Sequence, residues 1–140
     1  MAVMVNYLAV LVCGIVSMIL GMVWYSPKGL FGRQWMRLMG FDKLNKQQQE
    51  KMKQGMTKSM TFGFISMLVM AYVLAYVVSY AAATTWLQGA IAGAWMWLGF
   101  VATISLGSVL WENRPWALYW INSLHSLVTL VIMGAILAVW

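Results

Sequence analysis

The sequence predicts an all-α, polytopic membrane protein of four transmembrane helices, with a short amphipathic interfacial helix in its first loop. Three observations carry that prediction. Of 140 residues, 63% are hydrophobic and only 9% charged, whereas a soluble domain carries about 25% charged residues. Charged side chains are absent from three long runs, Met1 to Pro27, Ser59 to Trp111 and Pro115 to Trp140. All but one of the nine Lys and Arg residues lie between the first two of these runs.

A membrane span takes about 20 apolar residues. The first and last runs therefore supply one helix each, over about 3–25 and 116–140. The middle run is long enough for two, and it breaks at Ser79 to Gly89 (SYAAATTWLQG), where small and polar residues interrupt the large aliphatics. That gives helices over about 58–80 and 87–111 in a single domain, 1–140, with a basic loop at 26–57. The first run lacks the basic start and small-residue cleavage site of a signal peptide and ends in Gly21-Met22-Val23-Trp24-Tyr25, so it is expected to be retained.

Orientation follows from the cations. Lys28, Arg33, Arg37, Lys43, Lys46, Lys51, Lys53 and Lys58 lie before the second helix, and Arg114 lies between the third and fourth. Positive residues in short loops stay cytoplasmic, and both loops fall on one side of a four-helix path, which places both termini outside. Trp24, Tyr25, Trp111 and Trp116 are expected in the inner aromatic belt, and Tyr7, Tyr80, Trp86 and Trp140 in the outer one.

The basic loop has its own pattern. In Leu30 to Gly40, Phe31, Trp35, Leu38 and Met39 recur at helical spacing, with Arg33 and Arg37 four apart on another face. This predicts an interfacial helix ended by Gly40. Asn45 and Gln48 have capping-box spacing and open a polar helix able to run into the second span, with Gly55 as a place to bend. The cations either contact anionic lipid headgroups, with Lys28, Arg33 and Arg37 the candidates, or serve orientation alone.

On the fourth helix Asn122, His125, Ser126 and Thr129 follow i, i+3, i+4, i+7 spacing and make one face polar. Asn6, Cys13, Ser17 and Gly21 on the first helix, with Thr103, Gly107 and Ser108 on the third, are candidate partners. Intramembrane polar groups either bond helices together or mark a ligand, proton or solute site. Gly89 and Gly93, then Gly99, Thr103 and Gly107, with Gly14 and Gly21 on the first helix, are the small residues expected to let helices approach or a second copy dock. Trp95, Trp97 and Trp120 lie deeper than belt positions, lining a cavity or packing against helices or lipid, and the thirteen Met residues read as adaptable filler. Pro115 suits the first turn of the last helix, after a tight Glu112-Asn113-Arg114 connector.

The residues missing from the spans exclude several chemistries. Small proton-coupled multidrug exporters share this size, but they need a membrane-embedded carboxylate and no span holds Asp or Glu. One His and one Cys cannot complete a zinc ligand set, so no metal is expected. A haem held by His125 and a Met has no further support, and no cofactor is expected. A Ser and His hydrolase using His125 lacks a nucleophile turn and an oxyanion hole. Cations placed beside membrane spans also speak against nucleic acid as a partner.

Trp24-Tyr25-Ser26-Pro27, Phe31-Gly32, Trp35-Met36 with Gly40, Gly55-Met56, Gly99-Phe100-Val101-Ala102-Thr103, Glu112-Asn113-Arg114-Pro115, Ile121-Asn122 and Met133-Gly134-Ala135-Ile136-Leu137 occur in that order. Together they resemble a bacterial family of small membrane proteins, domain of unknown function family 1761. The resemblance spans nearly the whole chain and implies a four-helix domain, of a bacterial inner membrane, with a distinctive exit from the first helix. It implies no activity, and His125 has no assured counterpart in its pattern.

Two functions are therefore expected as alternatives. The first is a non-enzymatic bundle that associates with itself or enters a larger membrane complex. The second is a small channel or transporter for protons, ions or a small solute along Asn122, His125, Ser126 and Thr129.

Overall fold

The computed structural model describes residues 2–140, and Met1 lies outside them. The described chain is all-helical: α1 (Tyr7–Tyr25), α2 (Gly32–Leu38), a 3-10 turn (Phe41–Lys43), α3 (Lys46–Tyr80), α4 (Trp86–Leu110) and α5 (Trp116–Val139). α1, α3, α4 and α5 are long and apolar enough to cross a membrane. The short helix α2 and the 3-10 turn join α1 to α3.

Local chemistry explains most of the boundaries. α1 begins four residues later than expected because Asn6 caps it, its Oδ1 accepting the amides of Leu8 (3.0 Å) and Ala9 (3.1 Å). The polar helix expected from Asn45 does run into the second span: α3 begins at Lys46, ahead of the span's expected start at 58, so much of the predicted loop is helix. Its start is the reciprocal capping box. The Gln48 amide donates to Asn45 Oδ1 (2.9 Å), and the Asn45 amide donates to Gln48 Oε1 (3.1 Å). No breaker follows, and Gly55, which costs a helix only about 1 kcal/mol, does not interrupt it. At 35 residues α3 is about 52 Å long, against a hydrocarbon core of about 30 Å.

α3 ends in a Schellman turn. The Ala83 amide donates to Val78 O (3.1 Å) and the Ala82 amide to Ser79 O (3.0 Å). Ala82 takes the left-handed position usual for glycine, at φ 51°. Thr85 and Gln88 then form a second capping box at the start of α4. Within α4, Trp97–Ala102 winds as a π-helix, a feature that residue types and spacing did not announce. Asn113 (φ 55°) turns the connector, and Pro115 stands one residue earlier than expected, as the N-cap of α5.

The closest packing is between α4 and α5. A methyl group at Gly89 would strike the Gly134 carbonyl, and one at Gly93 would strike the Leu130 carbonyl. The glycines expected to serve as contacts thus divide. Gly89 and Gly93 meet α5, and Gly14 meets Leu68 and Phe64 of α3. Gly99 faces open space, Gly107 has only the Trp111 ring near it, and Thr103 is exposed, so this second stripe packs against no helix of the chain. Gly134, the partner that Gly89 requires, carried no packing signal of its own.

In the half of the bundle away from the basic loop, Val10, Cys13, Ala71, Leu74, Val78, Leu130 and Met133 form a closed apolar core. Trp111 and Trp116 are exposed, as are Tyr7, Tyr80, Trp86 and Trp140. Trp24 is not a belt residue. It is 7% exposed, and its indole N–H crosses to the Ile121 carbonyl of α5 at 3.0 Å.

Candidate functional site

The half of the bundle next to the basic loop is organised by the exit from α1. After Pro27 the backbone folds back over the helix end, where the Leu30 amide donates to Val23 O (3.0 Å) and the Phe31 amide to Trp24 O (3.0 Å). These bonds satisfy carbonyls that a helix end leaves open. The return is tight enough to require glycine twice, since a Cβ at Gly29 would strike the Val23 carbonyl and one at Gly32 the Ser26 carbonyl. The Trp-Tyr-Ser-Pro motif and the two glycines after it are one structural unit.

Aromatic rings fill the corner this unit creates. Trp24 packs on Phe31 (4.8 Å between centroids), and Tyr25 meets Trp35 edge-on at 5.0 Å. The Tyr25 hydroxyl donates to Asn122 Oδ1 of α5 at 2.8 Å. His125 sits one turn deeper, with Tyr25 at 5.0 Å and Trp24 at 5.7 Å. Its Nε2 is buried and has no hydrogen-bond partner.

His125 also lines an open groove of about 860 Å³ between α1 and α3. Ser17, Gly21, Met22 and Tyr25 of α1 form one wall, and Met56, Met60, Gly63 and Met67 of α3 form the other. Lys28 and Gly29 stand among the residues at the loop end. Gly21 faces His125 directly, since a Cβ there would lie 3.8 Å from Nε2, in ordinary contact.

The predicted polar residues are only partly brought together. His125, Ser17 and Gly21 line the cavity, and Asn122 joins them through Tyr25. Ser126 and Thr129 turn their hydroxyls back to their own helix, onto Asn122 O (3.2 Å) and His125 O (2.8 Å). Ser17 does the same to Gly14 O (2.8 Å), as does Thr103 to Gly99 O (2.8 Å), on the outside of the bundle. Asn6 is spent on its cap at the opposite end of α1. Of the predicted α1 residues, Cys13 does cross, its thiol donating to Met133 O of α5 at 3.8 Å, and the other cross-helix bonds come from aromatic residues. Besides Trp24, Trp97 donates to Ser123 O (2.7 Å), and Tyr119 donates to Ala102 O (2.9 Å) in the π-helical segment.

Residue types hid several parts of this site. Ser123 is 1% exposed with an unpartnered hydroxyl, yet it stood outside the polar stripe. Met56, Met60, Gly63 and Met67 recur at helical spacing, a legible signal that reads equally well as filler. Gly29 and Gly32 belong to a motif whose purpose only the backbone path reveals.

No curated protein and no solved structure matches the chain. One family profile does, described as protein of unknown function (DUF1761), and it matches residues 8–138. That stretch runs from the second residue of α1 to the last turn of α5 and takes in the exit motif, both walls of the cavity and His125. The chain therefore belongs to the DUF1761 family.

Proposed function

We propose that this multi-pass membrane protein works without catalysis, as an intramembrane pocket for a mainly apolar molecule bearing one hydrogen-bonding group. The observation that carries the reading is the buried, partnerless Nε2 of His125, a residue that lines the cavity. An unpaired buried polar atom costs about 1–3 kcal/mol, which a bound hydrogen-bonding group would recover. Small-molecule sites are typically about 300–1,000 Å³, mostly apolar, with a few polar groups to orient the ligand, and this cavity fits that description.

A pore needs a polar path to the other side, and two observations favour a blind pocket instead. Ser17, Ser126 and Thr129 bond to their own helices, and the apolar core around Cys13 and Met133 closes the far half. The Ser17 hydroxyl is already donated to Gly14 O, which supports the non-catalytic reading by engaging the serine of α1 itself. The positive-inside rule orients the pocket toward the cytoplasmic leaflet of the inner membrane, with both termini outside.

The test is to purify the wild type and His125→Phe in mild detergent and compare co-purifying small molecules by mass spectrometry. A molecule held by the wild type and lost from a folded His125→Phe supports the pocket. Equal retention by both refutes it.

Self-association is the second reading, supported by the exposed stripe of Gly99 and Thr103 on α4, which no other helix of the chain covers. Gly99→Leu should then lower the stoichiometry of subunits counted by single-molecule photobleaching in lipid. An unchanged count would remove this reading.

A further inference from the structure

A second cavity, of about 500 Å³, lies against the first and is lined by Lys28, Arg33, Gln34 and Arg37 among others. Lys28 and Gly29 line both cavities. Three cations thus surround one space, and no Asp or Glu is among the described residues that line either cavity. Arg33 and Arg37 are one helical turn apart on α2, so their guanidinium forks present one face. Lys28 is held at the junction by the folded-back exit from α1, which the Leu30 and Phe31 amides pin to Val23 and Trp24.

The two spaces differ in the chemistry they accept. The basic one suits a phosphate, whose oxygens match guanidinium donors in a bidentate fork. The other is a methionine-lined groove, and from Met56 to Met67 it runs about 16 Å along α3, close to half of the roughly 30 Å hydrocarbon core. One leaflet's acyl chain has that reach. A molecule that fits both at once has an anionic phosphate head and a long apolar chain, joined where Lys28 stands.

We infer that the two cavities together hold one anionic phospholipid of the surrounding bilayer, its phosphate among Lys28, Arg33 and Arg37, an acyl-ester carbonyl at the unpartnered Nε2 of His125 and the acyl chain along Met56, Met60 and Met67. The inference rests on the pocket reading and adds the identity of the occupant. It makes the cations a headgroup site, beyond their part in orientation.

The experiment is native mass spectrometry of the full chain, titrated with phosphatidylglycerol and with phosphatidylcholine of the same acyl chains. Retention of one phosphatidylglycerol per chain is expected, at least about tenfold tighter than phosphatidylcholine. Each Lys or Arg near an anionic surface contributes about fivefold. The combined Lys28→Gln, Arg33→Gln and Arg37→Gln variant should therefore lose at least tenfold toward phosphatidylglycerol and distinctly less toward phosphatidylcholine, whose choline already offsets the charge of the shared phosphate. Gly63→Phe should weaken both lipids, since Gly63 lines the groove and a Cβ there meets nothing within 4 Å, so the ring fills the groove without straining the fold.

Equal retention of the two lipids by the wild type overturns the inference, as does a triple variant that binds phosphatidylglycerol normally. Glycerol phosphate competing at the lipid's own concentration also overturns it, by assigning the basic cavity to a soluble phosphate. If Gly63→Phe and His125→Phe release a neutral apolar molecule that the triple variant still holds, the pocket reading stands and the lipid assignment fails. If Gly63→Phe and His125→Phe release nothing, both fail.

Discussion

Gly93 and Gly99 lie on the same helix and are interchangeable to the eye in sequence, yet their substitution by alanine should have opposite effects. At Gly93 the new methyl would overlap the Leu130 carbonyl oxygen and come within 2.6 Å of its carbon. These are backbone atoms of α5, which cannot rotate aside as a side chain can, so α4 and α5 must separate. Forcing a methylene into a packed interface costs about 1–3 kcal/mol, and this rigid contact belongs at the upper end. Replacing glycine by alanine in a helix returns about 0.5–1 kcal/mol. The net loss for Gly93→Ala is about 2 kcal/mol, or about 4–8 °C in midpoint for a chain of this size. At Gly99 nothing lies within 4 Å of the added methyl, so Gly99→Ala keeps only the helix gain and should hold or slightly raise the midpoint. Cys13 supplies the assay: it is the only cysteine and is fully buried. A thiol-reactive fluorophore in detergent therefore labels the chain as it unfolds, and the labelling midpoint on heating reports stability. Midpoints for the two variants within about 1 °C of each other would refute the argument that backbone contact, not residue type, distinguishes these glycines.

Three further outcomes follow from features of the same fold. Ala82→Gly relieves an alanine in a left-handed position, where the strain is about 1–2 kcal/mol, and should raise the Cys13-labelling midpoint by a few degrees; a lower midpoint would contradict the Schellman assignment. Tyr25→Phe strips Asn122 Oδ1 of its 2.8 Å donor in a half-buried corner, at an expected cost of about 1–3 kcal/mol; the same labelling assay checks it, and no change would mean that the hydroxyl is solvated. In a Cys13→Ser background, an impermeant maleimide added outside intact cells should label Ala82→Cys and spare Lys51→Cys, and the reverse pattern would invert the proposed orientation.

The spans were legible because their signals are local. Runs without charge mark spans, and Asn45 with Gln48 or Thr85 with Gln88 can cap a helix whatever surrounds it. The long start of α3 was half visible for the same reason, since its cap was readable while the absence of a stop beyond it was not compelling. The site was harder to read because its content lies in pairings across helices. Trp24 has the composition and position of a belt residue, and only the arrival of α5 turns its indole inward to Ile121. The hydroxyls of Ser126 and Thr129 were visible as a polar stripe, but sequence spacing does not tell whether they reach a neighbour or turn back on their own carbonyls. A π-helical turn at Trp97–Ala102 shifts register through backbone bonding and leaves no mark in residue type.

The length of α3 has a mechanical consequence. The helix is unbroken from Lys46, and its near contact with α1 lies where Gly14 meets Phe64 and Leu68. A helix of this length acts as a lever about that contact, with its polar arm on the Lys46 side. Met56 is about 18 Å from the pivot at Leu68, so a tilt of only about 10° displaces that wall of the cavity by about 3 Å. A tilt of α3 about that contact therefore changes the width of the cavity only by also shifting Ala71, Leu74 and Val78 within the core.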